Sequence, residues 1–217
     1  MKRKRPVVFL GPSLPVAEAR QILDADYRAP VKRGDIDPLL KTSPSAIAII
    51  DGEFFQSLAI SPKEVLRAIE SGVPVWGASS MGALRAAELH PFGMVGVGTV
   101  YELYRSGRVL ADDEVALAFA PGDAQPVSEA MINIRVALGR AVEAGVIERA
   151  TCLKLVRTAK AMYFPDRTWR NLWRSAAGWL PGPEATALRR YLEKTRPDVK
   201  GEDARLLLHR LAARSAS

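Results

Sequence analysis

The chain has 217 residues, 48% hydrophobic and 25% charged, which leaves room for one large domain or for one domain and a smaller helical one. No apolar run approaches the roughly 20 residues of a membrane span. The single cysteine, Cys152, excludes an internal disulfide and fits a reducing, cytoplasmic compartment, and two distant histidines without HxxH or CxxC spacing argue against a zinc site.

In chain order, the basic start Met1-Lys-Arg-Lys-Arg-Pro is followed by an apolar stretch, Val7 to Leu10, too short for a signal-peptide core. It reads instead as a first strand, ended by Gly11-Pro12-Ser13. A helix is expected from Val16 to Leu23, and a turn-like region from Tyr27 to Asp35. Ala46 to Ile50 reads as a buried strand ended by Asp51-Gly52, Ser61 to Gly72 as a helix, and Val73 to Trp76 as a third strand leading into a helix from Met81 to Leu89. The glycine-rich run Gly93 to Gly98 lacks dinucleotide-binding spacing and reads as a tight loop under Tyr101 and Tyr104. Beyond it the strand signal ends. Helices are expected at Val100–Arg105, Glu114–Ala118, Val127–Ala144, Ile147–Met162, Thr168–Ala177, Glu184–Lys194 and Glu202–Ala212.

The predicted fold is therefore α/β: a small, mainly parallel sheet flanked by helices, followed by an all-helical C-terminal region. The division is placed as residues 1–122 and 123–217. Charge is uneven across the chain: residues 1–150 hold 17 Lys/Arg and 18 Asp/Glu, whereas residues 151–217 hold 14 and 6. That basic excess fits an acidic protein surface, an acidic peptide or nucleic acid, or simply a solvated helical face.

Three strand ends share glycine and small polar residues, and in a parallel sheet they line one edge, where ligands bind in open α/β folds. The third end, Gly77-Ala78-Ser79-Ser80-Met81-Gly82, has the small-x-Ser-x-small spacing of a nucleophile elbow, with Ala78 and Gly82 flanking Ser80. The Met81 N–H would then face a developing oxyanion at the positive end of the helix. The bland alternative is that Ser79 or Ser80 caps the helix, and spacing alone leaves that alternative ahead. His90 sits at the far end of the same helix, so a Ser-His-Asp triad is weakly supported. A lysine base has a better position. Ser61-Pro62-Lys63-Glu64 reads as a capping box that sets Lys63 in the first helical turn, where the dipole favours the neutral amine. An exposed, solvated lysine is the competing reading. Asp112-Asp113-Glu114 is a weak metal candidate against N-terminal capping. Trp169, Trp173 and Trp179 among arginines are candidates for base stacking against helical packing.

Taken together, "VVFLGPSL", "RGDI", "AIIDGEFF", "SPKEVLRAIESGVPVWGASSMGALRAAEL", "FGMVGVGTVYELYRSG" and "DDEVAL" resemble the TfuA-like core domain over roughly residues 7 to 120. The resemblance implies a role beside YcaO enzymes, which use ATP to activate a peptide backbone amide, in installing backbone thioamides in ribosomal peptides. It implies release of sulfide from a thiocarboxylated, ThiS-like sulfur-carrier protein by a Ser–Lys site. Carried onto this sequence, the serine of the SMGA motif is Ser80 and the lysine of the KE motif is Lys63. Met81, Gly52 and Gly11 are candidate oxyanion donors, and Gly52, Ala78 and Gly82 candidate walls of a narrow groove for the carrier's tail. The expected partners are a YcaO enzyme, the carrier and the precursor peptide, with neither nucleic acid nor membrane, and no cofactor or metal. The competing reading is a non-catalytic adaptor that docks on the YcaO enzyme and improves peptide capture.

Overall fold

The computed structural model describes residues 4–54, 59–118 and 126–216. The chain forms two compact units, Met1–Leu110 with Lys200–Ser217, and Ala111–Val199. The second is thus inserted into the first: the chain leaves the sheet unit after Leu110 and returns at Lys200. The division expected at residues 122 and 123 lies outside the described residues.

The sheet unit contains β1 (Val7–Phe9), α1 (Val16–Ile22), β2 (Asp26–Arg28), α2 (Asp37–Leu40), β3 (Ile47–Ile49), α3 (Pro62–Glu70), β4 (Val75–Ala78), α4 (Met81–Leu89), β5 (Val95–Val97) and α5 (Thr99–Arg105). It closes with the C-terminal helix, numbered α10 (Val199–Ala216) after the four helices of the inserted unit. All neighbouring strands pair in parallel, in the order β2-β1-β3-β4-β5. This is the α/β architecture expected from the sequence, with two strands more than the apolar runs announce. The β2 strand is an edge strand that exposes Asp26 and Arg28, so it carries no apolar run. The β5 strand falls on Val95-Gly96-Val97, which the sequence offers as a loop. Glycine is needed there because a Cβ on Gly96 would lie 2.1 Å from the Tyr101 ring.

Both faces of the sheet are covered. Val8, Leu10, Ala48, Ile50, Ala78 and Val97 form one core with Ala19 of α1 and with Ala204, Leu207, Leu208 and Leu211 of α10. On the opposite face Gly77 meets Gly82 of α4 and Gly96 lies under Tyr101 of α5. Helix α10 is anchored by a buried carboxylate. Asp203, 3% exposed, accepts from the Thr99 N–H (2.8 Å) and the Val100 N–H (2.7 Å), two of the orphan donors at the start of α5. Its carboxyl group fills the space over Gly98, where a Cβ would come within 2.2 Å of it. Among the described residues no helix is long and apolar enough to cross a membrane.

The inserted unit holds α6 (Met131–Glu143), α7 (Arg149–Lys160), α8 (Trp169–Ala176) and α9 (Gly182–Thr195) around Met131, Ile134, Leu138, Leu155, Leu172 and Leu188. The helix expected at Glu114–Ala118 is instead one 3-10 turn, Asp112–Glu114. Two of its three acids are taken up in ion pairs. Glu114 pairs with Arg135 (2.8 Å) and Lys160 (3.1 Å), while Asp113 pairs with Lys160 and with the fully buried Arg167 (3.1 Å). Arg167 also donates to the Ala159 and Asp113 carbonyls, so this buried guanidinium is satisfied by charge and by backbone together. Burial would raise the Asp113 carboxyl, but Lys160 and Arg167 overcome it and hold the group below its ordinary value.

Two outcomes follow from these anchors. Asp203→Ala strands the buried Val100 N–H and the part-buried Thr99 N–H and should lower unfolding stability by about 2 kcal/mol in urea denaturation. Asp113 binds a proton less readily folded than unfolded, so its contribution to stability is present above its ordinary value of 3.8 and is lost as pH falls toward the lowered folded value. Asp113→Asn should therefore flatten the acid limb of stability against pH, measured by denaturation below neutrality.

Candidate functional site

In the order β2-β1-β3-β4-β5 the connections diverge between β1 and β3, and the carboxyl ends of these strands are where open α/β sheets bind ligands. Asp51, directly after β3 and 2% exposed, ties this edge together. Its Oδ2 accepts from the Gly11 N–H (2.9 Å) and the Ser13 N–H (3.1 Å), and its Oδ1 accepts from the Ser13 hydroxyl (2.6 Å). The Ser13 Oγ in turn accepts from the Ser79 hydroxyl at 2.8 Å. An ionised carboxylate only accepts, so the direction of this buried chain runs from Ser79 through Ser13 to Asp51.

The β4–α4 joint is sharper than a simple cap. Ser79 has φ +68°, left-handed backbone that a non-glycine residue rarely adopts. The Ser80 N–H donates back to the Ala78 carbonyl at 2.8 Å, closing a three-residue turn centred on Ser79, of the rare and strained kind. Ser80 occupies the N-cap position, is 2% exposed, and makes no capping bond with its side chain. Its carbonyl accepts the first helical bonds, from Ala83 (3.0 Å) and Leu84 (3.3 Å). Met81 opens the helix, and its N–H has no partner within it.

The glycines here are explained by close approach. A Cβ on Gly82 would lie 1.7 Å from the Ile49 carbonyl oxygen, and one on Gly77 would lie 2.1 Å from the Gly82 carbonyl oxygen. Gly77 and Gly82 are thus required by close packing, while Ala78 lies in the α1/α10 core. A Cβ on Gly52 would meet the Met81 side chain at 2.7 Å, and one on Gly11 the Pro30 ring at 2.5 Å. Of the predicted oxyanion donors, the Gly11 N–H is committed to Asp51.

Lys63 lies in the first turn of α3, and the capping box is formed. The Ser61 Oγ accepts from the Lys63 N–H (3.3 Å), and the Glu64 carboxylate accepts from the Ser61 N–H (3.4 Å) and from the Gly34 N–H (2.8 Å). Because α3 leads back to the start of β4, its first turn stands at the same sheet edge as Ser80. The Lys63 side chain is exposed and pairs with no described residue. Sequence reading named Ser13 and Asp51 only as strand-end residues and Ser79 only as a helix cap, and did not foresee the chain that joins them. The available signal was an aspartate placed directly at a strand end, next to a second strand end rich in donors.

The remaining candidates resolve into packing. His90 pairs through Nδ1 with the Tyr101 hydroxyl at 3.1 Å, at the opposite end of α4 from Ser80. No group of described His, Cys, Asp and Glu residues could hold a metal ion. Trp169 and Trp173 stack on one another, Arg189 lies over Trp173 and Lys154 over Trp179, all at the rim of the helical core. Arg85 pairs with Glu88 one turn on, at 2.5 Å.

The family model for TfuA-like protein matches residues 51–168, more than half of the chain, and the chain belongs to that family. The match begins at Asp51 and includes Lys63, the β4–α4 joint and most of the inserted unit. No curated protein matches the chain.

The close approach of α4 to β3 gives a paired expectation. Gly82→Ala must lift the helix from the Ile49 carbonyl and should cost about 3 kcal/mol or more. Gly139→Ala, mid-helix in α6 with nothing within 4 Å of its Cβ position, should gain about 0.5–1 kcal/mol. Thermal unfolding of the two variants checks both signs.

Proposed function

We propose that this TfuA-like protein hydrolyses the thiocarboxylate at the C-terminus of a ThiS-like sulfur-carrier protein, and so supplies sulfide for backbone thioamidation of a ribosomal peptide by a YcaO enzyme. The observation that carries the reading is the β4–α4 joint. A buried serine follows a left-handed residue at the carboxyl edge of a parallel sheet, directly before a nine-residue helix, and its side chain does not cap that helix.

The chemistry needs three things of this edge. The Ser80 Oγ attacks the thiocarboxylate carbon, and its proton passes to a lysine amine, for which the sequence offers Lys63. The oxyanion is held by the Met81 N–H at the positive end of α4, which also favours an anionic substrate. The C–S bond breaks, hydrosulfide leaves with the proton returned by the amine, and water then cleaves the acyl ester to free the carrier's carboxylate. The Asp51–Ser13–Ser79 chain fixes the turn that presents Ser80.

The exposed side chain of Lys63 favours a second reading, the adaptor that docks on a YcaO enzyme without catalysis. The two separate in an assay that contains the chain and a thiocarboxylated carrier but no YcaO protein. The hydrolase reading expects sulfide release there, lowered at least about a hundredfold by Ser80→Ala. Release at an unaltered rate from the Ser80→Ala chain removes that reading.

A further inference from the structure

We infer that a groove over α8 and α9 in the inserted unit binds an acidic peptide segment of another protein, a binding role that stands independently of the hydrolase reading above. The groove measures about 660 Å³, within the roughly 300–1,000 Å³ of ordinary binding pockets. Trp169, Trp173 and Leu192 give it an apolar lining. Arg170 and Arg174 of α8 and Arg189 of α9 line it as well, against one acid, Glu193.

The local sequence builds this arrangement. The Thr168 hydroxyl accepts from the Asn171 N–H at 3.1 Å and starts α8. Trp169 and Trp173 then stand one turn apart, and Arg170 and Arg174 form the next row along the helix. Leu172 and Ala176 are buried in the helical core, while the two tryptophans pack at its margin and the two arginines stay exposed. On α9, Leu188 enters the same core, and Arg189 and Leu192 follow it into the groove lining. Trp169 stacks on Trp173 at 5.7 Å, and the Arg189 guanidinium lies 5.1 Å from the centre of the Trp173 ring.

Charge and spacing select the partner. Arg174 donates to the Asn171 side-chain oxygen at 3.4 Å and Arg189 rests on Trp173. Among the described residues neither they nor Arg170 pair with a carboxylate. A guanidinium held on an aromatic face keeps its in-plane N–H donors and loses rotamer freedom, which prepares it for a carboxylate. Arg170 and Arg174 are about 6 Å apart along the helix axis, close to the roughly 6–7 Å between alternate residues of an extended chain. Cations spread along a row suit carboxylates spread along a peptide, and the tryptophans and Leu192 suit an apolar side chain between those acids. A nucleic acid would bring phosphates to the same arginines, but its bases need free ring faces. Trp173 already carries a stacked ring and a guanidinium.

The test selects peptides from a random phage-displayed library on the full chain and counter-selects them on its Arg170→Glu/Arg174→Glu variant. Both side chains are exposed, so the variant's circular dichroism melt should match that of the parent. Surviving peptides should carry Asp or Glu on either side of an apolar residue. A synthesised survivor should bind the parent less well as salt is raised, and should lose at least about tenfold in affinity on the double variant. It should bind almost unchanged to Arg149→Glu/Arg157→Glu, the same charge change on exposed residues of α7 outside the groove. Arg189→Lys keeps the charge but not the flat fork on Trp173, and should weaken binding severalfold. That variant decides the matter if the double variant does not fold, and an unaltered affinity there overturns the inference. No survivors, survivors without acids, or equal losses from the α7 and α8 variants overturn it too. So does an oligodeoxythymidylate that binds the parent more tightly than the peptide and is lost on the Arg170→Glu/Arg174→Glu variant, which makes the groove a nucleic-acid site.

Discussion

The buried carboxylate of Asp51 holds the carboxyl edge of the sheet in one arrangement. Leaving a carboxylate at 2% exposure is tolerable only if its lone pairs are satisfied, and here two backbone N–H groups and a hydroxyl satisfy them. Those donors come from the loop after β1, so the loop cannot move without stranding a charge. Through Ser13 the constraint reaches Ser79, whose left-handed backbone is the least favourable conformation of the edge. A strained residue persists where its surroundings over-determine it. At this turn the hydrogen bond to Ser13 acts from one side, and the packing of Gly82 on the Ile49 carbonyl from the other.

A second buried aspartate does similar work at the other side of the sheet. Asp203 satisfies the start of α5 and, because it belongs to α10, also brings the chain back to the sheet after the insertion of Ala111–Val199. Without α10, the face formed by Val8, Leu10, Ala48 and Ile50 would have α1 alone to cover it. The insertion is therefore compatible with a closed core only because the last helix returns. The glycine at position 98 is part of the same device, since its missing Cβ is the space that Asp203 occupies.

Much of this was legible in the sequence. The runs at Val7, Ala46 and Val73 are apolar enough to be buried on both faces, and they form the three central strands. The capping box at Ser61 and the ion pair of Arg85 with Glu88 are local signals, and both are realised. The edge strands were not legible: β2 is half polar and β5 contains a glycine that only the ring of Tyr101 explains. The candidate site was read in part. Spacing located a sharp β4–α4 joint and the small residue at Gly82 that its packing requires. The bonds that set the turn join residues 38 and 66 positions apart, and no local pattern encodes them.

The return of α10 also changes what the basic C-terminal third means. Counted along the chain, it looks like one positive patch suited to an acidic partner or nucleic acid. In the fold its charges fall into different units, and six of the fourteen meet a carboxylate or an aromatic ring. Arg205 pairs with Glu18 of α1, and Arg214 lies over Trp76 of β4, in the sheet unit. Lys160 and Arg167 are held by Asp113 and Glu114 in the inserted unit, where Lys154 and Arg189 sit on tryptophan rings. A cation spent on a carboxylate or an aromatic face contributes less to a long-range field than composition alone suggests. The tryptophans that might have stacked on bases are themselves stacked or covered by cations. A sequence charge count here therefore measures internal fastening as well as surface charge.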